Sequence, residues 1–296
     1  MRHDWGHNHI TAIVNSIPPS HRRPIFHRNS AVQDMNHFSV DFCAALALTA
    51  SFSVQATTSF FIEDLTWQEV QTAIQDGKRT ALYYAGSTEQ NGPHMVTGKH
   101  NLIAHHVASR IAKELGNALV YPVMPFAPTG DPANKSGHMA YPGSVSVEDD
   151  IFAHVARNVA ESAAAAGFSC IILMGDHGGG QAALGKVARE FLNSESSRGI
   201  TVVHAIEVYE QSNALALAYL KRAGLPYGDH ASIIDTSELM YVSPQSVRMG
   251  KLKLATEKLG SSGFASLASP KLGKIFIEYK VQTALARIRA STDCGG

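Results

Sequence analysis

Four short apolar runs, at residues 79–85, 118–124, 169–174 and 201–206, constrain this chain most. The third is a continuous Cys-Ile-Ile-Leu-Met after its opening serine, with no polar residue facing outward. Such a run belongs to a strand covered on both faces, as in a parallel sheet. Helical stretches follow the runs. Residues 102–115 repeat apolar side chains at Ile103, Val107, Ile111 and Leu115, the period of a helix face. Residues 67–75, 147–166 and 182–193 read as further helices. Thr66 and Glu69 form a capping box ahead of the first, and Gly167 is a C-terminal stop for 147–166. Strands alternating with helices predict an α/β domain of three layers, a mainly parallel sheet flanked by helices. No repeat is visible and no linker divides 62–291, so 57–296 reads as one domain.

Composition narrows the function classes. Lys+Arg and Asp+Glu both total 25 in 296 residues, so the formal charge is zero. Nucleic acid as a partner needs net or clustered positive charge, and is excluded on that ground. The apolar fraction of 45% supports a sizeable core. No apolar run approaches the roughly 18 residues of a membrane span. Residues 1–56 read as an N-terminal extension. Within it, 42–54 has the length of a signal-peptide core, and Val54-Gln55-Ala56 fits a small-residue cleavage site. Met35 offers an alternative start, so 35–56 is expected to be a signal peptide and the mature protein periplasmic or secreted. The stretch 35–41 lacks Lys and Arg; if 42–54 is instead a buried helix, the protein is cytoplasmic. Cys43 leaves with a signal peptide, Cys170 falls in a core strand and Cys294 in the tail. No structural disulfide is expected, and no CxxC pair is present.

Fifteen histidines are unusual for this length. Many fall in four polar segments placed at the carboxyl ends of the strands, where open α/β sheets bind ligands. These are 86–94 with Lys99-His100, 136–143, 175–181 and 228–238. Each places His beside Asp, Glu or Gly, a combination that suits zinc, manganese or iron. A phosphate-binding GxxxxGK[ST] or GxGxxG is absent, and so is a GxSxG nucleophile elbow. Taken singly, a loop histidine is more often solvated or hydrogen-bonded than a ligand; four at the ends of consecutive strands point to a shared site. His105 and His106 lie within a helix and are expected to be structural.

The residues of these segments resemble the creatininase (creatinine amidohydrolase) family. Gly86-Ser-Thr-Glu-Gln-Asn-Gly-Pro-His94 is similar to that family's G-S-T-E-Q-H-G-P-H loop. His138-Met-Ala-Tyr-Pro-Gly-Ser144 resembles its E-H-x-x-F-P-G-T segment, and Gly175-Asp-His-Gly-Gly-Gly180 its N-G-H-G-G-N loop. His230-Ala-Ser-Ile-Ile-Asp-Thr-Ser237 resembles H-A-G-x-x-E-T-S, and 263–273 the closing G-x-x-G-x-P segment. The likeness extends over about 62–291. It implies a metal-dependent hydrolase of C–N bonds in small, often cyclic amides, with a homo-oligomeric assembly.

Carried over residue by residue, the resemblance makes Glu89 and His177 metal ligands. Two family ligands are changed: the first-loop His is Asn91, and the metal-bridging Asp is His100. Glu89, His100 and His177 remain, the ligand set of a mononuclear hydrolytic zinc site with an open position for water. One zinc per chain is expected there, with manganese or iron as alternatives. Asp176 is a candidate fourth ligand or outer partner. His230 is the expected proton donor to the leaving nitrogen, with Glu238 and Asp235 competing as general base. Asn91, His94, His138, Tyr141, Gly178 and Gly179 are expected to contact substrate. The competing readings are a pseudoenzyme that binds metal or ligand without catalysis, and a lactone or formamide hydrolase using the same site.

Overall fold

A computed structural model of the chain describes residues 59–192, 199–291 and 294. The expected signal segment 35–56, the extension 1–56 that contains it, and Cys43 lie outside the described residues. Four parallel strands form the sheet: β1 (Thr80–Ala85), β2 (Ala118–Val120), β3 (Cys170–Gly175) and β4 (Thr201–His204). Their order is β2-β1-β3-β4. Every residue of β1, β2 and β3 is buried, which is why these strands read as unbroken apolar runs.

Side-chain alternation sends the two halves of each strand to different helices. Leu82, Tyr84, Ile172 and Met174 pack with Ile103, Val107 and Ile111 of α2 (Lys99–Leu115), and with Ile277, Val281 and Leu285 of α7 (Pro270–Arg289). On the opposite face Ala81, Tyr83, Ile171 and Leu173 meet Phe152, Ala156 and Ala160 of α3 (Asp149–Ala166), and Leu184 and Val187 of α4 (Gln181–Leu192). Three layers result. The Thr66–Glu69 capping box opens α1 (Trp67–Gln75), and Gly167, at φ 108°, closes α3. None of the described helices is long and apolar enough to cross a membrane.

The topology dictates where a site can form. The chain leaves β1 toward β2 on one side and reaches β3 on the other, so the strand order reverses between β1 and β3. A crevice opens at that reversal, outside the carboxyl ends of the two strands. The loops after β1 and β3 carry Glu89 and Asp176-His177 to its two walls. The fourth histidine segment differs from expectation. It follows a helix, α5 (Glu210–Arg222), rather than a strand, and half of it is helical: α6 (Ile233–Val242). Asp235 and Glu238 therefore project from one helix face at spacing i, i+3. Likewise α2 starts at Lys99, earlier than 102, which puts His100 in its first turn. The regular strand in the run 118–124 stops at Val120, ahead of Pro122, which offers no N–H to the ladder, and pairing with β1 resumes at Met124, whose N–H donates to the Tyr84 carbonyl at 3.2 Å.

The expectation of no disulfide is overturned. Cys170, the first residue of β3, is bonded to Cys294. The tail turns back after α7, with the Cys294 N–H donating to the Ser291 carbonyl at 3.1 Å, and Cys294 is fully buried in the core. Residues 124 apart are thus linked. Closing so long a loop restricts the unfolded chain, worth roughly 2–5 kcal/mol. Cys294→Ser should lower unfolding free energy by that amount in denaturant titration, and reductant should lower the wild type to the same level. An unchanged midpoint in both would mean the bridge contributes nothing.

Candidate metal centre

Glu89 is the centre of the site. The loop that bears it is tied by its own backbone: the Glu89 N–H donates to the Thr97 carbonyl at 3.0 Å. Asn91 Nδ2 closes the same loop by donating to the Glu89 carbonyl at 3.0 Å, and reaches the Val96 and Thr97 carbonyls at 3.4 Å. The carboxylate is fully buried, and four imidazoles surround it. His100 Nε2 lies 3.1 Å and His230 Nδ1 3.9 Å from Oε1. His177 Nε2 lies 2.8 Å and His138 Nε2 3.7 Å from Oε2. Ser87 Oγ donates to Oε2 at 3.0 Å. Burial pushes the Glu89 carboxyl up, but the bonds from His100 and His177 outweigh it and hold it well below the carboxylate range.

The donor atoms of Glu89, His100 and His177 lie within 4.8 Å of one another, as one cation would need. The surroundings of His100 fit that role. Its Nδ1 faces Asp176 Oδ2 at 2.8 Å, which leaves Nε2 aimed at Glu89. A carboxylate behind a ligating imidazole orients the ring and raises its basicity. Burial and Lys99 push the His100 pKa down, yet Asp176 and Glu89 more than offset them, and His100 is a cation in the metal-free protein. At His177 the Gly179 N–H donates to Nδ1 at 3.0 Å, so the proton sits on Nε2 and points to Glu89. Binding a metal there would take the Nε2 proton from the His100 cation and would move the His177 proton from Nε2 to Nδ1, which breaks the Gly179 bond. Gly179 is required there: a Cβ would lie 1.9 Å from the Pro128 carbonyl oxygen.

These contacts revise several expectations. Asp176 stands behind His100 rather than among the donor atoms; its other oxygen accepts from Lys280 Nζ at 3.0 Å. Its place is an outer partner, not a fourth ligand. Asn91 and His94 do not reach the cavity. Asn91 holds the loop as described, and His94 Nε2 bonds Thr236 Oγ1 on α6 at 2.9 Å, a tie between loop and helix. Burial lowers the His94 pKa to about 4, so this tie is made by a neutral ring. Tyr141 borders a neighbouring groove together with Gln90, His138 and His230. Gly178 lines the cavity, whereas Gly179 acts through its N–H.

The cavity has a volume of ≈ 380 Å³, and its walls bring Glu89, His100, His138, His177 and His230 together with Asp235 and Glu238. The two competing bases are not equivalent. Asp235 Oδ1 is bonded to Lys99 Nζ at 2.5 Å; burial pushes its carboxyl up, but Lys99 holds it well below the usual range. An anion so paired is a weak base. Glu238 is buried, with Lys280 Nζ 3.7 Å from Oε2. Burial raises its pKa to about 7, with Asp176 and Asp235 adding and Lys280 opposing. Around the cavity Glu89, Asp176 and Asp235 are matched by His100, Lys280 and Lys99, which leaves Glu238 without a cation of its own. Its elevated pKa follows. His230 is less suited to the acid role expected of it. Its Nε2 lies 3.0 Å from both the Gln90 carbonyl and the Gln90 side-chain amide nitrogen, and burial lowers its pKa to about 4. At neutral pH it has no second proton to give.

Sequence reasoning overlooked Lys280 and Gln90. Lys280 interrupts the apolar face of α7 between Phe276, Ile277, Val281 and Ala284, and a charge inside such a stripe signals a buried partner. Gly273, one face up, lets α7 approach α6: a Cβ there would lie 1.9 Å from the Ser237 carbonyl oxygen. That closeness is what brings Lys280 to Glu238 and Asp176.

Comparison with known proteins agrees with this fold. The family model for creatinine amidohydrolase matches residues 63–288. A creatinine amidohydrolase of Pseudomonas putida is 26% identical over 119 residues, 40% of this chain and 45% of that protein. The aligned part thus spans under half the length of that relative. A solved creatinine amidohydrolase (creatininase) superposes with TM-score 0.63 at 20% identity, covering 80% of this chain and 99% of its own. A mutant creatininase described as Zn-Zn type gives TM-score 0.64, and one described as creatininase Mn 0.62, each at 20% identity, covering 80% of this chain and 100% of its own.

Proposed function

From the premise that this chain belongs to the creatininase family, we propose that it is a metal-dependent amidohydrolase cleaving a C–N bond of a small amide, open-chain or cyclic. The observation that carries this reading is the fully buried Glu89 carboxylate, with His100 and His177 converging on it at the wall of a polar cavity. These three residues would hold the metal, for which zinc suits the Glu/His/His set. A divalent ion there supplies Lewis acidity toward a carbonyl and lowers the pKa of a bound water.

The chain's own groups do the rest. Asp176 orients the His100 ring, and Lys280 keeps Asp176 ionised. Glu238, titrating near neutrality, takes a proton from the attacking water and returns it to the departing nitrogen. Lys99 and Asp235 pair across the wall and keep their charges away from Glu238. A carboxylate is the basic form, so kcat/KM should rise with pH through about 7. Glu238→Gln should lose that limb, lower kcat/KM by roughly 10²–10⁴, and retain metal. A wild-type-like pH profile in that variant would remove Glu238 from the mechanism.

The bond between Gly179 N–H and His177 Nδ1 favours the second reading, a pseudoenzyme, because the metal-free donors already satisfy one another. Metal analysis with an assay panel of amides, formamides and lactones decides between them. Amide turnover by the metal-loaded wild type, lost in His177→Ala together with the ion that Glu89, His100 and His177 would hold, supports the amidohydrolase. No turnover with any carbonyl substrate by the loaded protein supports the pseudoenzyme. We place the mature protein outside the cytoplasm. The apolar segment 42–54 supports this, as does the Cys170–Cys294 bond, since disulfides persist in oxidising compartments. Exposed Met249, Leu254, Leu259, Phe264 and Leu267 offer apolar surface for a homo-oligomer.

A further inference from the structure

We infer that His138 and His230 form with Glu89 a second cation site, so that one buried carboxylate serves two ions. This rests on the metal-dependent reading above and adds a site to it. The donor atoms of Glu89, His138 and His230 all lie within 4.8 Å of one another.

The spacing within the two triads differs in an informative way. In the first, Glu89 makes direct contacts of 2.8 Å and 3.1 Å with His177 and His100. In the second, the separations are 3.7 Å to His138 and 3.9 Å to His230. These are too long for hydrogen bonds. They are close to the about 3.4 Å between two ligands bound tetrahedrally to one zinc at about 2.1 Å. The second triad is already held apart at the width of an ion.

The rings are held there by other groups. His230 Nε2 lies 3.0 Å from both the Gln90 backbone carbonyl and the Gln90 side-chain amide nitrogen, contacts that hold Nδ1 toward the Glu89 carboxylate. The ring is aimed by strained backbone: Ala231, the next residue, adopts φ 49°, a left-handed conformation costly for alanine. Ser261 Oγ donates to the Ala231 carbonyl at 2.8 Å, and Ser262 Oγ accepts from the His230 N–H at 3.1 Å. Strain of this kind is kept where the surroundings need one side-chain direction. His138 stands beside His230, with ring centroids 4.5 Å apart. Its Nδ1 accepts from the Gln90 amide at 3.2 Å, and the Gly92 N–H fixes that amide by donating to its oxygen at 2.9 Å. Loading moves the His138 proton from Nε2 to Nδ1, and the amide then turns to present its oxygen. Both rings border the main cavity and the adjacent groove, which gives an ion a route in.

The test is metal stoichiometry. Full-length protein is stripped with chelator, dialysed against cobalt(II) alone, and assayed for bound metal and for its visible absorption. The expected result is two ions per chain in the wild type, and one in each of His138→Ala, His230→Ala and His177→Ala. The His177 variant should keep a cobalt spectrum different from that of the His138 variant, because different donors remain. Circular dichroism confirms folding; if His230→Ala does not fold, the half-exposed His138 carries the test through His138→Gln. One ion in the wild type, unchanged in the His138 and His230 variants, would overturn the second site and leave the proposed function standing. No ion in the wild type would overturn both.

Discussion

Glu89→Gln should empty the centre and reduce kcat/KM by on the order of 10³-fold, about 4 kcal/mol of transition-state stabilisation. The substitution keeps the size of the side chain and removes its charge. An amide cannot replace the anion that holds His100 as a cation, and its N–H group faces the Nε2 protons of neighbouring rings. Metal content by mass spectrometry, kcat/KM and circular dichroism should show a folded, metal-poor, inactive protein. Wild-type metal content with wild-type turnover would exclude Glu89 from the centre. Stability provides a further readout in the metal-free state. The Glu89 carboxyl is depressed on folding, so its contribution is complete above the unfolded value of about 4.5 and lost as pH falls below it. Metal-free wild type should therefore lose stability in acid more steeply than Glu89→Gln.

Lys280→Met should cost about 3–5 kcal/mol of unfolding free energy, near 10 °C in Tm. The methionine fills the space of the lysine stem but leaves Asp176 and Glu238 buried without their shared cation. Burial lowers the Lys280 pKa, but Asp176 and Glu238 outweigh it, so the ammonium is charged throughout the accessible pH range. Lys280 also opposes the rise of the Glu238 pKa, so its removal should move the acid limb of kcat/KM above pH 7. Lys280→Arg retains the charge and should restore part of both. Unchanged stability together with an unmoved limb would mean that the ion pairs are not formed in solution.

Much of the site was legible because it lies in chain-local motifs. Glu89 and His177 follow strands directly, and the apolar runs that precede them place their loops at the same end of the sheet. The roles of Asn91, His94 and Asp176 were not legible, because each depends on a partner distant in sequence or on which way a short side chain turns. Asp176 is paired with Lys280, 104 residues on, and with His100. His94 is consumed by Thr236, 142 residues on. The choice between Asp235 and Glu238 was equally closed to sequence, since it rests on Lys99 and Lys280 arriving from other helices. The disulfide was missed for a similar reason: a cysteine in the tail after the last helix says nothing of whether that tail folds back.

What the sequence determined by itself is the architecture and the inventory of donors. Period, caps and buried runs set a parallel sheet between helices, and the polar loops set which histidines and carboxylates are near strand ends. Only the tertiary structure decided how those donors are shared out. Burying one carboxylate among four imidazoles makes every proton position depend on an outer partner: Asp176 for His100, Gly179 for His177, Gln90 for His138 and His230. Those partners come from different elements, and their placement is a property of how α6 and α7 pack against the sheet, which no local pattern encodes.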